Sequence, residues 1–236
     1  MIPLPTPQAE PPIPKPPISN WLSEFEEKLE REFRRRTGLD YKATMAQVIE
    51  AAQPRPGMQV LDVGTGTGVI ARQLVTLIGE KGRIIGVDAT EEMVEQARLA
   101  AQSAGAGRKI EWQVAPAENL PFSAGSFDLV TCTMAFHVMQ AARFIKEAGR
   151  VLKPDGRLLI TAQLRPNKVN EWLVKMRRNY YQYIVRDQVE AEATFHSATE
   201  VLEMLAVAGF RQRVIQGLRP LRSWDTQMFS LIKAVK

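Results

Sequence analysis

A carboxylate followed by three alternating glycines is the feature of this chain with the clearest chemical meaning. The run Asp62-Val63-Gly64-Thr65-Gly66-Thr67-Gly68 comes after an apolar segment and before a segment with helical spacing. Glycine lacks a Cβ atom, so such a run can turn tightly and let a ligand approach the main chain at a helix N-terminus. A tight strand-to-helix turn that binds no ligand is the alternative interpretation.

The spacing of these glycines separates the ligand classes. The dinucleotide pattern G-x-G-x-x-G would need its third glycine at position 69, which is Val69. The phosphate-binding pattern G-x-x-x-x-G-K-[ST] fails because no lysine follows. A nicotinamide-dependent oxidoreductase is therefore a disfavoured alternative. Asp62 offers an acceptor for a cationic group. A phosphate-binding site would not place a carboxylate here, because it would repel the phosphate.

A second carboxylate, Asp88, closes the predicted strand that begins at Arg83. At the end of such a strand it can accept hydrogen bonds from both hydroxyl groups of a ribose. The alternative is that Asp88 only caps the helix that follows, which we expect to begin at Glu91.

Two downstream segments carry further motifs, Ala115-Pro116-Ala117-Glu118-Asn119-Leu120-Pro121-Phe122 and Ser126-Phe127-Asp128-Leu129-Val130. With D-x-G-x-G-x-G and the R-V-L-K-P-D-G turn at residues 150–156, they resemble the motifs of the class I S-adenosylmethionine-dependent methyltransferases. Within that family they are most similar to the ubiquinone/menaquinone-biosynthesis-like (type 11) small-molecule enzymes. The resemblance implies S-adenosylmethionine as cofactor. It also implies a Rossmann-like α/β fold with a mostly parallel seven-stranded sheet and an antiparallel last strand.

The resemblance also assigns cofactor contacts. The glycine loop with Asp62 would hold the methionine end, Asp88 the ribose, and Ala117 and Glu118 would flank the adenine. Pro116 stands where the family usually has the aspartate that takes the adenine amino group. That contact is expected to shift to Glu118, to a backbone carbonyl or to water. The predicted cofactor-binding residues are Asp62, Gly64, Thr65, Gly66, Gly68, Asp88, Ala89, Met93, Ala117 and Glu118.

His137 is the catalytic candidate, because it follows the fourth predicted strand and matches a frequent family histidine. It could serve as a general base or orient an acceptor hydroxyl, or it could pack beneath the cofactor. Cys132, inside that strand, is expected to be a buried structural thiol. It lacks the Pro-Cys context of the RNA cytosine methyltransferases, and the Asn/Asp-Pro-Pro-Tyr/Phe motif is also absent. Both absences argue against a nucleic-acid acceptor.

Apolar periodicity places these motifs on alternating strands and helices, as is typical of a doubly wound parallel sheet. Two helices come first, one with a candidate capping box Ser23-x-x-Glu26 and one over Tyr41–Ala52 with Asp40 as its cap. The later predicted helices cover residues 67–78, 91–103 and 141–152 and a segment from Ser197 to Gly209. The predicted strands cover residues 58–63, 83–88, 110–115, 127–132, 157–161, 210–217 and 227–235.

Three parts of the chain are expected to differ in role. Residues 1–18 form a proline-rich arm, extended or disordered, with eight of the 15 prolines in its first 17 residues. Residues 19–53 form an N-terminal helical extension of the same domain. Residues 54–236 form the methyltransferase domain, with an insert at 165–196 over the acceptor site. Apolar side chains recur at helical spacing in the insert (Trp172, Met176, Tyr180, Tyr183, Ile184) and in the extension (Trp21, Phe25, Leu29, Phe33).

The composition limits the classes of partner and binding site that we expect. The 236 residues carry a net charge of +5 without a dense basic stripe, so a nucleic-acid partner is not expected. The single cysteine excludes a multi-cysteine metal site, and the N-terminus lacks the features of a secretory signal. We expect a cytoplasmic enzyme with no membrane span that methylates a small, apolar or aromatic metabolite, and a homodimer is one option for its assembly. A methyltransferase-fold protein that binds the cofactor without transferring methyl is the other alternative.

Overall fold

The computed structural model describes residues 18–107, 109–165, 193–218 and 228–236, together with Met176, Asn179 and Gln182. The helices are α1 (Ile18–Thr37), α2 (Tyr41–Ala52), α3 (Val69–Ile78), α4 (Glu91–Ser103), α5 (Ala141–Val151) and α6 (Ala198–Val207). The strands are β1 (Gln59–Val63), β2 (Arg83–Asp88), β3 (Ile110–Val114), β4 (Phe127–Thr133), β5 (Leu152–Leu164), β6 (Arg211–Gly217) and β7 (Met228–Val235). Within these ranges no helix is both long and apolar enough to cross a membrane.

One seven-stranded sheet organises the chain, in the order β3-β2-β1-β4-β5-β7-β6. The pairs that join β3, β2, β1, β4 and β5 are parallel, whereas β7 runs antiparallel to both β5 and β6. The predicted fold class, with its antiparallel last strand, is therefore confirmed. The strand order reverses between β1 and β4, and ligands of open α/β sheets bind at the carboxyl ends of the strands at such a point.

Local capping chemistry sets several helix ends where the sequence predicts them. The Asp40 side chain accepts a hydrogen bond from the Ala43 amide at the start of α2, and Ser197 forms a complete capping box with Glu200 at the start of α6. The predicted capping role of Ser23 is wrong. The helix α1 is already formed at Ile18, so Ser23 lies inside it.

The strand β5 is longer than predicted. It begins at Leu152 and includes the Lys153-Pro154-Asp155-Gly156 segment, which the sequence suggests is a turn before the strand. Asp155 does adopt a left-handed conformation (φ 62°), and the register to β4 shifts between Phe127 and Leu129. Leu152 and Arg157 both pair with β4, so the four residues between them form an irregularity within the strand and the chain does not leave the sheet.

Both faces of the sheet are covered by buried apolar side chains. One face packs against α5 and α6, and the other packs against α1, α2 and α3. On the second face, Phe33 of α1 meets Tyr41 of α2 and Phe229 of β7 edge to face, with ring centroids 5.4 and 5.3 Å apart. This aromatic cluster docks the N-terminal helices beside the carboxyl ends of β4 and β5.

Candidate active site

A cavity of about 460 Å³ lies at the carboxyl ends of β1, β2, β4 and β5 and is closed on one side by α1 and α2. Its volume falls within the roughly 300–1,000 Å³ of small-molecule sites. Seven of the predicted site residues line it: Asp62, Gly64, Thr65, Gly66, Asp88, Met93 and His137. Four others, Gly68, Ala89, Ala117 and Glu118, are not among its lining residues.

Asp62 is a buried carboxylate held by two threonine hydroxyls. Its Oδ2 accepts a hydrogen bond from Thr65 Oγ1 at 2.6 Å, and its Oδ1 accepts one from Thr131 Oγ1 at 2.7 Å. Burial raises the pKa of Asp62 from its ordinary 3.8 to about 6, although the two hydroxyls lower it. A carboxylate that is costly to keep charged at the wall of a cavity is a good partner for a cationic ligand group.

The three glycines of the loop have different surroundings, although all have positive φ. A Cβ on Gly64 would lie 2.5 Å from Ala135 Cβ, and one on Gly68 would lie 2.4 Å from the Trp112 ring. These two glycines allow the loop to pack against its neighbours. Gly66 instead has open space where a Cβ would stand and lines the cavity. It is the glycine whose side-chain space a bound ligand can occupy.

Asp88 both holds the glycine loop and lines the cavity. Its Oδ2 accepts a hydrogen bond from the Gly66 amide at 3.0 Å, and its Oδ1 accepts one from the Thr90 amide at 3.3 Å. The cap of α4 itself is Thr90, whose hydroxyl accepts from the Met93 amide. Asp88 therefore fixes the glycine loop from β2 and remains partly exposed to the cavity, where it has lone pairs left for a ribose.

The predicted adenine contacts, Ala117 and Glu118, are not among the residues that line the cavity. Ala117 is buried, at 6% exposure, and Glu118 Oε1 accepts a hydrogen bond from the Gln140 amide at 2.7 Å. Glu118 is thus directed toward the start of α5. Ala89, also predicted, is exposed on the loop after β2.

His137 lies in a 3-10 turn, Phe136–Val138, directly after β4. Its ring stacks on Phe195 with 5.5 Å between centroids, and its carbonyl accepts a hydrogen bond from the Thr194 amide at 2.7 Å. The segment before α6 therefore holds the histidine at the cavity. Cys132 is fully buried, and burial followed by the charge of Asp62 raises the pKa of its thiol, so the thiolate is disfavoured.

Several lining residues are not identified by the sequence motifs. Tyr41 and Met45 reach the cavity from α2, Thr133 from β4, Gln163 from β5 and Phe229 from β7. Burial, and then the nearby Glu26 carboxylate, raises the pKa of Tyr41 to about 12, so its hydroxyl is protonated. The helical spacing of Leu29 and Phe33 was visible in the sequence, and both side chains line the cavity.

Trp112 on β3 is a supporting residue that no sequence motif identifies. Its ring lies against Gly68 and against Gly86 of β2, where an added Cβ would come within 2.5 Å. The two glycines thus form the slot that the indole fills, beneath the start of α3. This contact explains why position 68 needs a glycine although it does not line the cavity.

Comparisons with known proteins agree with this geometry. Residues 60–156 match the family described as a methyltransferase domain. The ubiquinone/menaquinone biosynthesis C-methyltransferase of Cereibacter sphaeroides is 33% identical over 176 residues, which are 66% of this chain and 68% of that protein. The uncharacterized methyltransferase YcgJ of Bacillus subtilis is 41% identical over 120 residues, 50% of this chain and 46% of the relative.

Solved structures share the fold at lower identity. The crystal structure of YcgJ gives a TM-score of 0.65 at 24% identity and covers 83% of this chain and 99% of that one. Geranyl diphosphate C-methyltransferase from Streptomyces coelicolor gives 0.69 at 16% identity, covering 90% and 84%. The chain spans half or less of the length of the first curated relatives it matches. From the match to the Cereibacter enzyme, together with the strand-end carboxylates and the glycine loop, the chain belongs to the class I S-adenosylmethionine-dependent methyltransferases of the ubiquinone/menaquinone-biosynthesis type.

Proposed function

We propose that the protein transfers a methyl group from S-adenosylmethionine to a small, apolar or aromatic metabolite by in-line displacement. The observation that carries the proposal is the continuity of one cavity. It joins the glycine loop and Asp88 to the apolar side chains of the N-terminal helices. A cofactor and an acceptor bound at these two ends would meet beside His137.

The cofactor end matches the chemistry of S-adenosylmethionine. Asp88 would accept hydrogen bonds from the ribose hydroxyls while it holds the Gly66 amide. Asp62 would interact with the ammonium of the methionine end, and the open side of Gly66 leaves room for the ligand. The Ala117 amide and Glu118 would flank the adenine. The bound cofactor supplies an activated methyl group on a sulfonium.

The acceptor end is shaped by apolar side chains, among them Leu29, Phe33, Met45 and Phe229. Their role would be to hold the acceptor atom in line with the transferred methyl and to exclude water. His137 would accept a proton from the acceptor, or orient its hydroxyl, from the turn after β4.

The insert at 165–196 is proposed to cover the acceptor. Most of it, including Trp172, Tyr180, Tyr183 and Ile184, lies outside the described residues, as do the proline-rich arm and the side chains of Trp21 and Phe25. A homodimer and a cytoplasmic location remain predictions.

Replacing Asp88 by alanine tests the proposed cofactor site. We expect S-adenosylmethionine and S-adenosylhomocysteine to bind the unmodified protein at micromolar strength. Losing a charged acceptor costs about 1.5–3 kcal/mol, which is roughly a 10- to 150-fold loss of affinity. Isothermal titration calorimetry measures it. Asp88→Asn should fall between the two, because its amide oxygen can still accept from Gly66.

The matched control for Asp88 is Glu80→Ala. This change removes an exposed carboxylate just before the amino end of β2, whereas Asp88 lies at the carboxyl end of that strand. Its affinity should equal that of the wild type. Absence of cofactor binding to the wild-type protein would overturn the proposal. Incubation with methyl-labelled cofactor and a metabolite extract then tests transfer itself. Tight binding with no labelled product would favour the alternative of a cofactor-binding protein that transfers no methyl.

A glycine pair separates backbone strain from ligand contact. Gly66 and Gly105 both have positive φ, 54° and 71°, and both have open space at the Cβ position. Alanine should therefore strain either backbone by about 1–2 kcal/mol. Only Gly66→Ala should also weaken S-adenosylhomocysteine binding, by at least about tenfold, because its methyl enters the cavity. Equal affinities of the two folded variants in calorimetry would contradict this placement.

A further inference from the structure

Two buried threonine hydroxyls, one of them on a residue that lines the cavity, lack hydrogen-bond partners among the described residues. The Oγ1 atoms of Thr133 on β4 and Thr161 on β5 are buried, and neither has a partner within the described part of the chain. Buried polar groups are normally satisfied, and leaving one unpaired costs about 1–3 kcal/mol. Two such groups together need an explanation.

The sheet register places these hydroxyls side by side. Thr133 pairs directly with Thr161 across the parallel β4–β5 ladder. Paired residues send their side chains to the same face, and neighbouring strands lie about 4.8 Å apart. Thr133 and Gln163 line the cavity. Thr161 lies on the same face of β5 as Gln163, two residues before it, and is fully buried behind the cavity wall. The three side chains form a short polar row, here named the threonine row.

The surroundings of the threonine row are apolar or acidic. Phe229, which pairs with Gln163 across the β5–β7 ladder, also lines the cavity, as does Met134, which follows Thr133. Among the described lining residues, the charged side chains are all carboxylates: Glu32, Asp62 and Asp88. The nearby cation Arg35 is hydrogen-bonded to Glu32, and Arg72 is paired with Glu26. Among these described lining residues, a phosphate or carboxylate on the acceptor would meet carboxylates and no lysine or arginine.

We propose that the threonine row is the specificity-determining anchor for the acceptor, and that it selects an uncharged molecule with one oxygen group, a hydroxyl or a carbonyl, on an apolar frame. The assignment rests on the proposed function. The Thr133 hydroxyl, on the cavity side of the row, can donate to such an oxygen or accept from it, with Thr161 behind it, so the row serves either group. The apolar walls bury the frame, and the anchor fixes which edge of it faces the transferred methyl.

Matched probes that differ only at this group test the proposal. The probes are 2-naphthol, 2-methylnaphthalene and 2-naphthyl phosphate, with the corresponding series 1-decanol, undecane and decyl phosphate. Each is titrated into the full-length protein saturated with S-adenosylhomocysteine. We expect the alcohol of at least one series to bind about tenfold more tightly than its hydrocarbon and its phosphate. Phosphate binding as tight as alcohol binding, or no alcohol binding at all, would overturn the proposal.

The variants Thr133→Val and Thr133→Val/Thr161→Val remove the hydroxyls at nearly constant shape. Their unfolding midpoints should equal or exceed that of the wild type, because each change removes an unpaired buried group. Both should lose the preference for the alcohol over the hydrocarbon. Thr76→Val, on the exposed side of α3, is the control and should keep it. A preference retained in the double variant would overturn the proposal.

The same titrations keep this proposal apart from the proposed function. If S-adenosylhomocysteine fails to bind the wild-type protein, the proposed function fails before any acceptor is added. If it binds, and the double variant binds it with unchanged affinity, the probe results report on the threonine row alone.

Discussion

Asp62→Asn is expected to raise the stability of the protein and at the same time to weaken its binding of the cofactor. Asp62 is buried, and its pKa in the folded protein is about 6, above its ordinary 3.8. A carboxyl with a raised pKa stabilises the folded state fully only below pH 4. That stability is lost as the pH rises from about 4 through about 6. Above pH 6 the ionised group thus costs about 3 kcal/mol, which asparagine avoids.

The asparagine can keep the local hydrogen bonds. Its oxygen can accept from Thr131, and its amide can donate to the hydroxyl oxygen of Thr65. Denaturant unfolding at pH 7.5 should show the variant more stable by up to about 3 kcal/mol, and the difference should vanish near pH 4. A variant that is less stable at pH 7.5 would mean that the carboxylate is better satisfied than its burial indicates.

Cofactor affinity should respond to Asp62 in the opposite sense. Loss of the charge should weaken S-adenosylhomocysteine binding by about 1.5–3 kcal/mol, because an ammonium group would lose its ionised partner. In the wild-type protein the affinity should fall as the pH drops through about 6, since Asp62 becomes protonated. The variant should lack this dependence. Calorimetry between pH 5 and 8 measures both, and an unchanged affinity would place Asp62 outside the ligand contacts.

The fold was predictable from the sequence where short-range chemistry decides it. Asp40 caps α2 through an amide three residues away, and both β2 and α4 have the bounds that apolar periodicity predicts. The sequence prediction was wrong where contacts outside the local segment set the bounds of a strand or helix. Lys153-Pro154-Asp155-Gly156 has the composition of a turn, yet it lies inside β5 as an irregularity between Leu152 and Arg157, which both pair with β4. Ser23 has the spacing of a cap, but the helix around it begins earlier.

The same distinction between local signals and distant contacts holds for the residues of the site. Motifs located Asp62, Gly66 and Asp88, because strand ends and glycines leave a local signature. Motifs could not show that Thr131 would hydrogen-bond to Asp62, since the two residues are 69 positions apart. The wall formed by α1, α2 and β7 likewise depends on tertiary packing. The sequence therefore identified the cofactor class, whereas the proposed acceptor wall depends on contacts that only the three-dimensional structure shows.

The second large effect is expected at His137. His137→Phe keeps an aromatic ring to stack on Phe195 but removes both nitrogens. If the imidazole moves a proton or orients the acceptor, the rate of methyl transfer should fall by about 10²–10⁴-fold, the usual range for a general acid–base group. The affinity for S-adenosylhomocysteine should stay within about twofold of the wild type. Single-turnover transfer from labelled cofactor to the acceptor, with calorimetry in parallel, measures the two quantities.

His196→Phe is the matched control, because His196 is the other histidine of the chain. Its ring lies 5.9 Å from that of Phe136 and does not line the cavity, so its replacement should leave the transfer rate unchanged. A different outcome at His137 identifies the alternative role. If His137→Phe weakens cofactor binding and leaves the single-turnover rate at saturation unchanged, the histidine packs beneath the cofactor. The acceptor would then be deprotonated by another group, or would need no deprotonation before the transfer, as holds for an uncharged nitrogen with a free lone pair.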